Sequence, residues 1–325
     1  MLVISIVVSA LAFNVVAGFN DGGNLLASAA SSRTIPVPIA FALIVGGSFA
    51  GPLVFGTAVA ATLGAGIADY SRAGMPLLLA AVGAALVAVL VSYAMRVPTS
   101  MSLALVSAMV GSLLVAGPAH AIMWKGVGKV VFSTLASCAI GFFIGALAFS
   151  VLIFVLRPAS RIVGDRIMYL QFATVVLQAL GYGANDAEKM MGMIAAAGTA
   201  NVTGHGFHVP LWAIVASVAA FAVGLAFGGI RVAKTVGGKL FTIRPVHALA
   251  FQTAAGSTVM AASLVGAPLS TTETTASAVI GVGAVARRRR LHWHVAAQIV
   301  TAWLITMPAA FAVGALAGGI VRLIR

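Results

Sequence analysis

The feature that most constrains this chain is its long apolar stretches, among them residues 77–94, 130–156 and 210–230. A helix needs about 20 apolar residues to cross the hydrocarbon core of a bilayer, so each stretch can span it once. Hydrophobic residues make up 61% of the 325 residues and charged ones only 8%. A soluble domain carries about 25% charged residues. We therefore predict an all-α polytopic membrane protein.

Basic residues outnumber acidic ones, 19 to 6, and give a net charge of +13. They lie in short loops between apolar stretches, such as residues 157–166, 231–244 and 287–290. Because Lys and Arg collect in cytoplasmic loops, we place these loops inside the cell and the chain in the plasma or inner membrane as a multi-pass protein. The positive charge is thus explained by basic loops at the cytoplasmic surface of the membrane. The lipid bilayer is therefore an expected partner, and nucleic acid is not.

Two motifs occur twice, in the same order. Residues 14–32 and 178–198 each contain an apolar approach, a Gly-x-Asn-Asp core and a run of small residues. Residues 97–111 and 267–281 each place a proline and several hydroxyl side chains before an apolar helix. Repetition of this kind indicates a duplicated structural unit.

The duplication predicts two related transmembrane halves, residues 1–156 and 167–325, joined by a basic cytoplasmic linker at 157–166. Inverted repeats with a site at their interface are common in secondary transporters, and broken helices often line that site. We therefore expect inverted repeats with discontinuous helices, although the orientation depends on the number of crossings in each half.

Four of the six acidic residues lie inside the repeated motifs and are flanked by apolar sequence: Asp21, Asp186, Glu188 and Glu273. A carboxylate at the bilayer centre costs about 2.5–3.5 kcal/mol, so such groups usually face a water-filled path or a cation. Structural ion pairs are the alternative, for instance between Lys189 and either Asp186 or Glu188. Because these acids lie within duplicated motifs, a functional role is favoured over structural ion pairs.

The Gly-x-Asn-Asp cores have the chemistry of a cation site. Asn and Asp supply hard oxygen ligands, and a helix that breaks at the glycine turns backbone carbonyls inward, as in ion-coupled transporters. A helix N-cap is a compatible interpretation, since Asn and Asp are good capping residues.

The proline-hydroxyl motifs have the chemistry of an anion site. Pro98 and Pro268 can stand in the first turn of a helix but cannot continue one. Free backbone N–H groups, the positive end of the helix dipole and neighbouring hydroxyls bind anions without a buried cation. The alternative is that the hydroxyls only bond to neighbouring backbone. The candidate substrate-binding residues are Thr99, Ser100, Ser102, Ser270, Thr271 and Thr272.

The sequence gives little support to an ATP-binding, metal-binding or hydrolytic site. No G-x-x-x-x-G-K-[ST] sequence occurs, which argues against ATP-driven transport within this chain. The histidines lack partners at metal-ligand spacing, and they lie far from the acids, so neither a metal centre nor a membrane-embedded hydrolase is indicated. We expect no enzymatic activity and no cofactor. An ion channel is an alternative function. The sequence leaves open the oligomeric state, a homo-oligomer included, and the binding of any metal.

These motifs resemble the inorganic phosphate transporter (PiT) family, in particular its bacterial low-affinity branch. The family signature is similar to G-A-N-D-x-x-N followed by P-x-S-T-T-H, and the likeness touches nearly the full chain. It implies a secondary symporter of inorganic phosphate. It also implies that Ser100, Ser102, Ser270, Thr271 and Thr272 hold phosphate. The residues that the resemblance assigns to the coupling cation are Asn20, Asp21, Asn24, Asn185 and Asp186.

The chain departs from the family pattern at positions that bear on coupling. Leu103 and Glu273 stand where the family has histidine, Lys189 is the counterpart of Asn24, and Glu188 replaces a common glutamine. A tethered ammonium can take the place of one cation, and the extra glutamates can carry protons. We therefore add Glu188, Lys189 and Glu273 to the cation-coupling set and favour H⁺ over Na⁺. Sulfate or another tetrahedral oxyanion, and phosphate complexed with a divalent metal, are the alternative substrates.

Overall fold

The computed structural model describes residues 1–31, 34–95, 99–157, 169–199, 207–236, 244–287 and 293–324. Pro98 and the linker beyond Arg157 therefore lie outside the described residues. Within those ranges the chain is helical, apart from loops, short turns and one isolated β-bridge between Ala68 and Ile122. The predicted all-α fold is confirmed.

Within the described residues, the first half of the chain contains eight α-helices: α1 Leu2–Ala17, α2 Gly23–Ser31, α3 Val37–Phe55, α4 Ala58–Ala65, α5 Tyr70–Ala73, α6 Met75–Ala94, α7 Met101–Ala116 and α8 Trp124–Leu156. A π-helical turn, Gly18–Gly22, joins α1 to α2, and a 3₁₀ turn, Ala119–Ala121, precedes α8.

The described part of the second half contains six: α9 Leu170–Tyr182, α10 Glu188–Thr199, α11 Leu211–Val236, α12 Pro245–Leu264, α13 Thr271–Arg287 and α14 Trp293–Ile324. A π turn, Gly183–Ala187, joins α9 to α10.

Six described stretches are long and apolar enough to cross a membrane: Leu2–Ala29, Val37–Phe55, Met75–Ala94, Trp124–Leu156, Leu211–Gly228 and Leu304–Ile324. The outer face of α8 exposes large apolar side chains, with Phe132 74%, Phe143 68% and Phe154 75% accessible. In water such a face would be costly, whereas lipid tails solvate it. The protein is thus a multi-pass membrane protein.

The long elements follow in the same order in the two halves, and they pack reciprocally across them. Helix α3 packs on α9 and its π turn, while α11 packs on α1, α2 and theirs. Likewise α7 packs on α14, and α13 packs on α8. Reciprocal contacts, in which element i of one half contacts element j of the other and j contacts i in return, are those that a two-fold relation between the halves would produce. The π turns of the two repeated Gly-x-Asn-Asp motifs take part in these contacts.

Candidate substrate and cation site

Both Gly-x-Asn-Asp motifs form π turns of five residues, Gly18–Gly22 and Gly183–Ala187. The flanking backbone stays right-handed, with φ −61° and ψ −39° at Gly18, and φ −60° and ψ −50° at Gly183. The helix break expected at these motifs is therefore wrong: the helix widens by one residue and continues. Single π turns inside α-helices are frequent at functional sites, because the extra residue displaces side chains from the regular helix face.

Glycine is required at the start of each π turn by close helix packing. A Cβ on Gly18 would lie 1.8 Å from the carbonyl oxygen of Phe221 in α11. A Cβ on Gly183 would lie 2.1 Å from the carbonyl oxygen of Ser48 in α3. Each π turn thus packs backbone to backbone against a helix of the other half, as small residues permit between membrane helices.

The second motif carries a buried ion pair. The Lys189 ammonium lies 2.5 Å from Asp186 Oδ1, and both side chains are 1% exposed. Residues three apart on a helix share a face, which explains why Lys189 pairs with Asp186. The Thr271 hydroxyl donates to the other oxygen, Asp186 Oδ2, at 2.6 Å. The ion pair considered from sequence is confirmed for Asp186.

The first motif holds its aspartate differently. Asp21 Oδ1 accepts hydrogen bonds from Asn20 Nδ2 at 2.9 Å and from the Thr272 hydroxyl. Asp21 is 2% exposed, while Asn20, Thr272 and Asn24 are half-buried. Adjacent threonines at the start of α13 therefore reach one aspartate from each half, and the Asp21 side is the more accessible.

The predicted discontinuity lies at the two proline-hydroxyl motifs, where α7 and α13 begin. Ser100 Oγ accepts from the Leu103 amide at 3.4 Å, and Ser270 Oγ accepts from the Glu273 amide at 3.4 Å. Both serines are thus helix N-caps, and both are buried, as is Thr99. The predicted helix starts are therefore present in both halves.

The two helix starts touch each other across the halves. The Ser102 hydroxyl donates to the Leu269 carbonyl at 2.6 Å, so for Ser102 the bond to neighbouring backbone weighed from sequence is present. Asn185 Oδ1 accepts from the Leu269 amide at 3.2 Å, and its Nδ2 donates to the Ala267 carbonyl at 3.3 Å. Asn185 therefore positions the non-helical segment that precedes α13.

The two remaining acids, both buried, have different surroundings. Glu188 Oε2 accepts from the amides of Val59 and Ala60, each at 3.1 Å, so it caps α4. Glu273, in the first turn of α13, lies beside Ser100 and accepts from the Cys138 thiol at 3.7 Å. In each of these glutamates, Oε1 is buried and has no hydrogen-bond partner within the described residues.

Sequence reasoning missed a polar group next to the second motif. The Tyr182 hydroxyl lies 2.9 Å from Thr275 Oγ1, and Gln178 Nε2 donates to the same oxygen at 3.2 Å. Gln178 and Tyr182 stand four residues apart in an otherwise apolar helix, so their shared face was a usable signal. They tie α9 to α13 directly above the π turn.

In the part of the chain that is described, no group of three or more His, Cys, Asp or Glu side chains has the arrangement of a metal site. The central polar residues are instead four acids, one lysine and the hydroxyls of two helix starts. Backbone N–H groups and hydroxyls at helix starts bind an oxyanion, while carboxylates bind a cation.

The comparisons agree with this chemistry. Residues 17–314 match the model of the phosphate transporter family. A "Probable low-affinity inorganic phosphate transporter" of Rhizobium meliloti is 34% identical over 97% of this chain and 95% of its own length. A protein of the same name from Bacillus subtilis is 32% identical over 100% of this chain and 98% of its own. The solved structure titled "The sodium-dependent phosphate transporter" matches with a TM-score of 0.87 and 23% identity, covering 100% of both chains, and bears on the fold.

Proposed function

Since the chain belongs to the phosphate transporter family, we propose that it is a secondary active symporter, which carries inorganic phosphate with a cation by alternating access. The observation that carries the proposal is the bond between Thr272 and Asp21. It joins the start of α13, where an anion would bind, to the carboxyl that would bind the cation. Occupation of one site therefore alters the other directly.

Phosphate would bind between the starts of α7 and α13. The hydroxyls of Ser100 and Ser270 and the backbone amides of these first turns would be the donors. Thr271 and Thr272 would donate to phosphate only when their hydroxyls leave Asp186 and Asp21. The helix dipoles add partial positive charge without a full cation. Thr99 lies beside this cage, and Ser102 supports it through Leu269.

Charge explains why a cation must accompany phosphate. The Lys189 ammonium pairs with Asp186 and acts electrostatically on Asp21 and Glu273, and all four side chains are buried. An anion brought to these carboxylates meets repulsion that solvent screens only weakly. A cation at Asp21 removes part of that repulsion, so the two solutes bind more favourably together than singly.

We assign the coupling ion to the first motif and favour a proton. At the second motif Lys189 already neutralises Asp186, whereas the first motif has Asn24 at the matching position and no fixed cation. Glu188 is engaged with α4 and would act as a cap rather than as a carrier. Asn20 and Asn24 would line the ion's entry to Asp21. Asn185 would hold the segment before α13.

Alternating access would use the pseudo-two-fold arrangement of the halves. If they are inverted repeats, each presents the same elements to opposite sides of the membrane. Rocking of one half against the other would then expose the site at α7 and α13 to each side in turn. The domain boundaries 1–156, 157–166 and 167–325 are part of this proposal.

The test is uptake of labelled phosphate into proteoliposomes under separately imposed H⁺ and Na⁺ gradients. We expect accumulation with a proton gradient and none with a sodium gradient alone. Asp21→Asn, which imitates a permanently protonated carboxyl, should lose gradient-driven accumulation but keep phosphate–phosphate exchange. Asp69→Asn is the matched control, because Asp69 pairs with Arg72 in an exposed loop.

Each alternative has its own outcome. If sodium alone drives accumulation, the coupling ion at Asp21 is Na⁺ rather than H⁺. Asp21→Asn should then lose phosphate–phosphate exchange as well. Undiminished accumulation by Asp21→Asn would refute the coupling assignment. Phosphate entry that never exceeds electrochemical equilibrium would refute symport in favour of a channel.

A further inference from the structure

Glu273 is a buried carboxyl at the place where phosphate would bind. It is the third residue of α13, and the two residues before it, Thr271 and Thr272, hold Asp186 and Asp21. Its side chain is 1% exposed and faces Ser100, at the start of α7. Glu273 therefore lies between the two helix starts.

One oxygen of this carboxyl lacks a donor. Oε2 accepts from Cys138, but Oε1 is buried and has no hydrogen-bond partner within the described chain. A buried acceptor without a partner is costly, and the cost rises when the group is charged. A ligand that donates a hydrogen bond to Oε1 would satisfy this acceptor.

The other groups of the cage recognise any oxyanion. Hydroxyls can donate to any tetrahedral anion, and backbone amides do the same. An ionised carboxylate can only accept. Phosphate near neutral pH carries at least one P–OH group, whereas sulfate has no proton to donate. Glu273, whose Oε1 has no partner within the described residues, is therefore a group at this site that can distinguish these two ions.

We propose that Glu273 accepts a hydrogen bond from the P–OH group of bound phosphate and thereby selects protonated oxyanions over sulfate. The inference rests on the proposed function and adds a specificity-determining residue to it. Sites built to bond a ligand hydroxyl reject analogues without it by about 10⁴–10⁵, because their own polar group is left unpaired. Sulfate would in addition place two negative charges beside the Glu273 carboxylate with no proton between them.

The experiment is competition of labelled phosphate by unlabelled sulfate and by unlabelled arsenate, which is a protonated tetrahedral oxyanion like phosphate. It is performed on uptake and, for any variant without uptake, on phosphate binding to the purified full-length protein. The measured quantity is the ratio of the sulfate and phosphate inhibition constants. This ratio is independent of how much protein reaches the membrane.

For the wild type we expect arsenate to compete and sulfate not to. Glu273→Gln keeps the size of the side chain but offers an amide donor, so the sulfate-to-phosphate ratio should fall at least about tenfold. Glu273→Asp keeps a carboxylate and should retain rejection of sulfate. Glu188→Gln is the matched control, since it alters the other buried glutamate with an unpartnered Oε1, which lies at α4.

The outcomes separate the inference from the function. If the wild type carries phosphate and rejects sulfate but Glu273→Gln rejects it equally, Glu273 is not the selecting group and the transport proposal stands. A fall of the ratio in Glu188→Gln as large as in Glu273→Gln would also overturn the inference. If the wild type binds and carries no phosphate, the proposed function itself fails.

Discussion

The buried pair of Asp186 and Lys189 provides the sharpest quantitative test of the site. The two charges lie 2.5 Å apart at 1% exposure, and Thr271 bonds the carboxylate from α13. Removing one partner of such a pair leaves an uncompensated buried charge, which costs about 3–5 kcal/mol. We therefore expect Lys189→Met and Asp186→Asn each to destabilise the protein by about that amount.

Combining Lys189→Met with Asp186→Asn completes a double-mutant cycle, and this double variant is its most informative member. With both charges gone, methionine fills the volume of the lysine, and asparagine can still accept from Thr271. Replacing a buried ion pair by neutral groups of similar volume is often nearly neutral. The double variant should lose about 1–2 kcal/mol, less than either single variant, so the coupling energy should be several kcal/mol.

The assay is equilibrium unfolding of purified protein in mixed detergent micelles, followed by tryptophan fluorescence. The matched control is the corresponding cycle on Asp69 and Arg72, whose side chains are 25% and 61% exposed and lie 2.9 Å apart. Exposed pairs contribute about 0–1 kcal/mol, so that cycle should show little coupling. Additive losses at Asp186 and Lys189 would refute the view that Lys189 is the fixed counter-ion of the second motif.

Three further predictions follow from single contacts. Glu188→Ala should lower stability by about 2–4 kcal/mol, because two buried amides of α4 lose their acceptor, and Glu188→Gln by less; both are measured by the same unfolding assay. Gly183→Ala should reduce folded yield in size-exclusion chromatography, since the added carbon meets the Ser48 carbonyl at 2.1 Å, whereas Gly46→Ala, with nothing within 4 Å, should not. Thr272→Val should lower the proton concentration for half-maximal uptake about tenfold, because the Asp21 carboxylate loses one charge-assisted hydrogen bond and binds a proton more readily, and Thr272→Ser should restore the original value; an unchanged value would show that Thr272 takes no part in coupling.

The clustering of the polar residues of the two repeated motifs could be predicted from sequence because polar groups are so scarce in the apolar segments. Asp21, Asp186 and the hydroxyls before α7 and α13 each need partners that lipid does not provide. They therefore find one another, and the structure places Thr271 and Thr272 on the two aspartates. Likewise the choice of Asp186 over Glu188 by Lys189 follows from helix geometry, since neighbours in sequence face apart.

Other features could not be predicted, for identifiable physical reasons. A Gly-x-Asn-Asp sequence is compatible with a break, a cap or a π turn. The outcome at Gly18 and Gly183 depends on the helix that packs against each of them. The partner of Glu188 is the amino end of α4, more than a hundred residues away in the chain. No sequence pattern around Glu188 predicts this contact. Contacts of this kind are set by the packing of the two halves.

The difference between the two Gly-x-Asn-Asp motifs bears on the number of cations that would accompany each phosphate. A perfect duplicate would place equal cation sites at Asp21 and Asp186, and two cations would then have to move with each phosphate. Lys189 pairs with Asp186, which also accepts a hydrogen bond from Thr271 at the start of α13, so on the proposed function the lysine would occupy one of these two sites permanently. On the proposed function, the neighbouring Thr272 then responds to whatever binds at Asp21, while Thr271 does not move. With one fixed and one exchangeable charge bonded to adjacent threonines, a single cation at Asp21 would be enough to affect the anion cage. On the proposed function, coupling would therefore require one ion at the motifs rather than two.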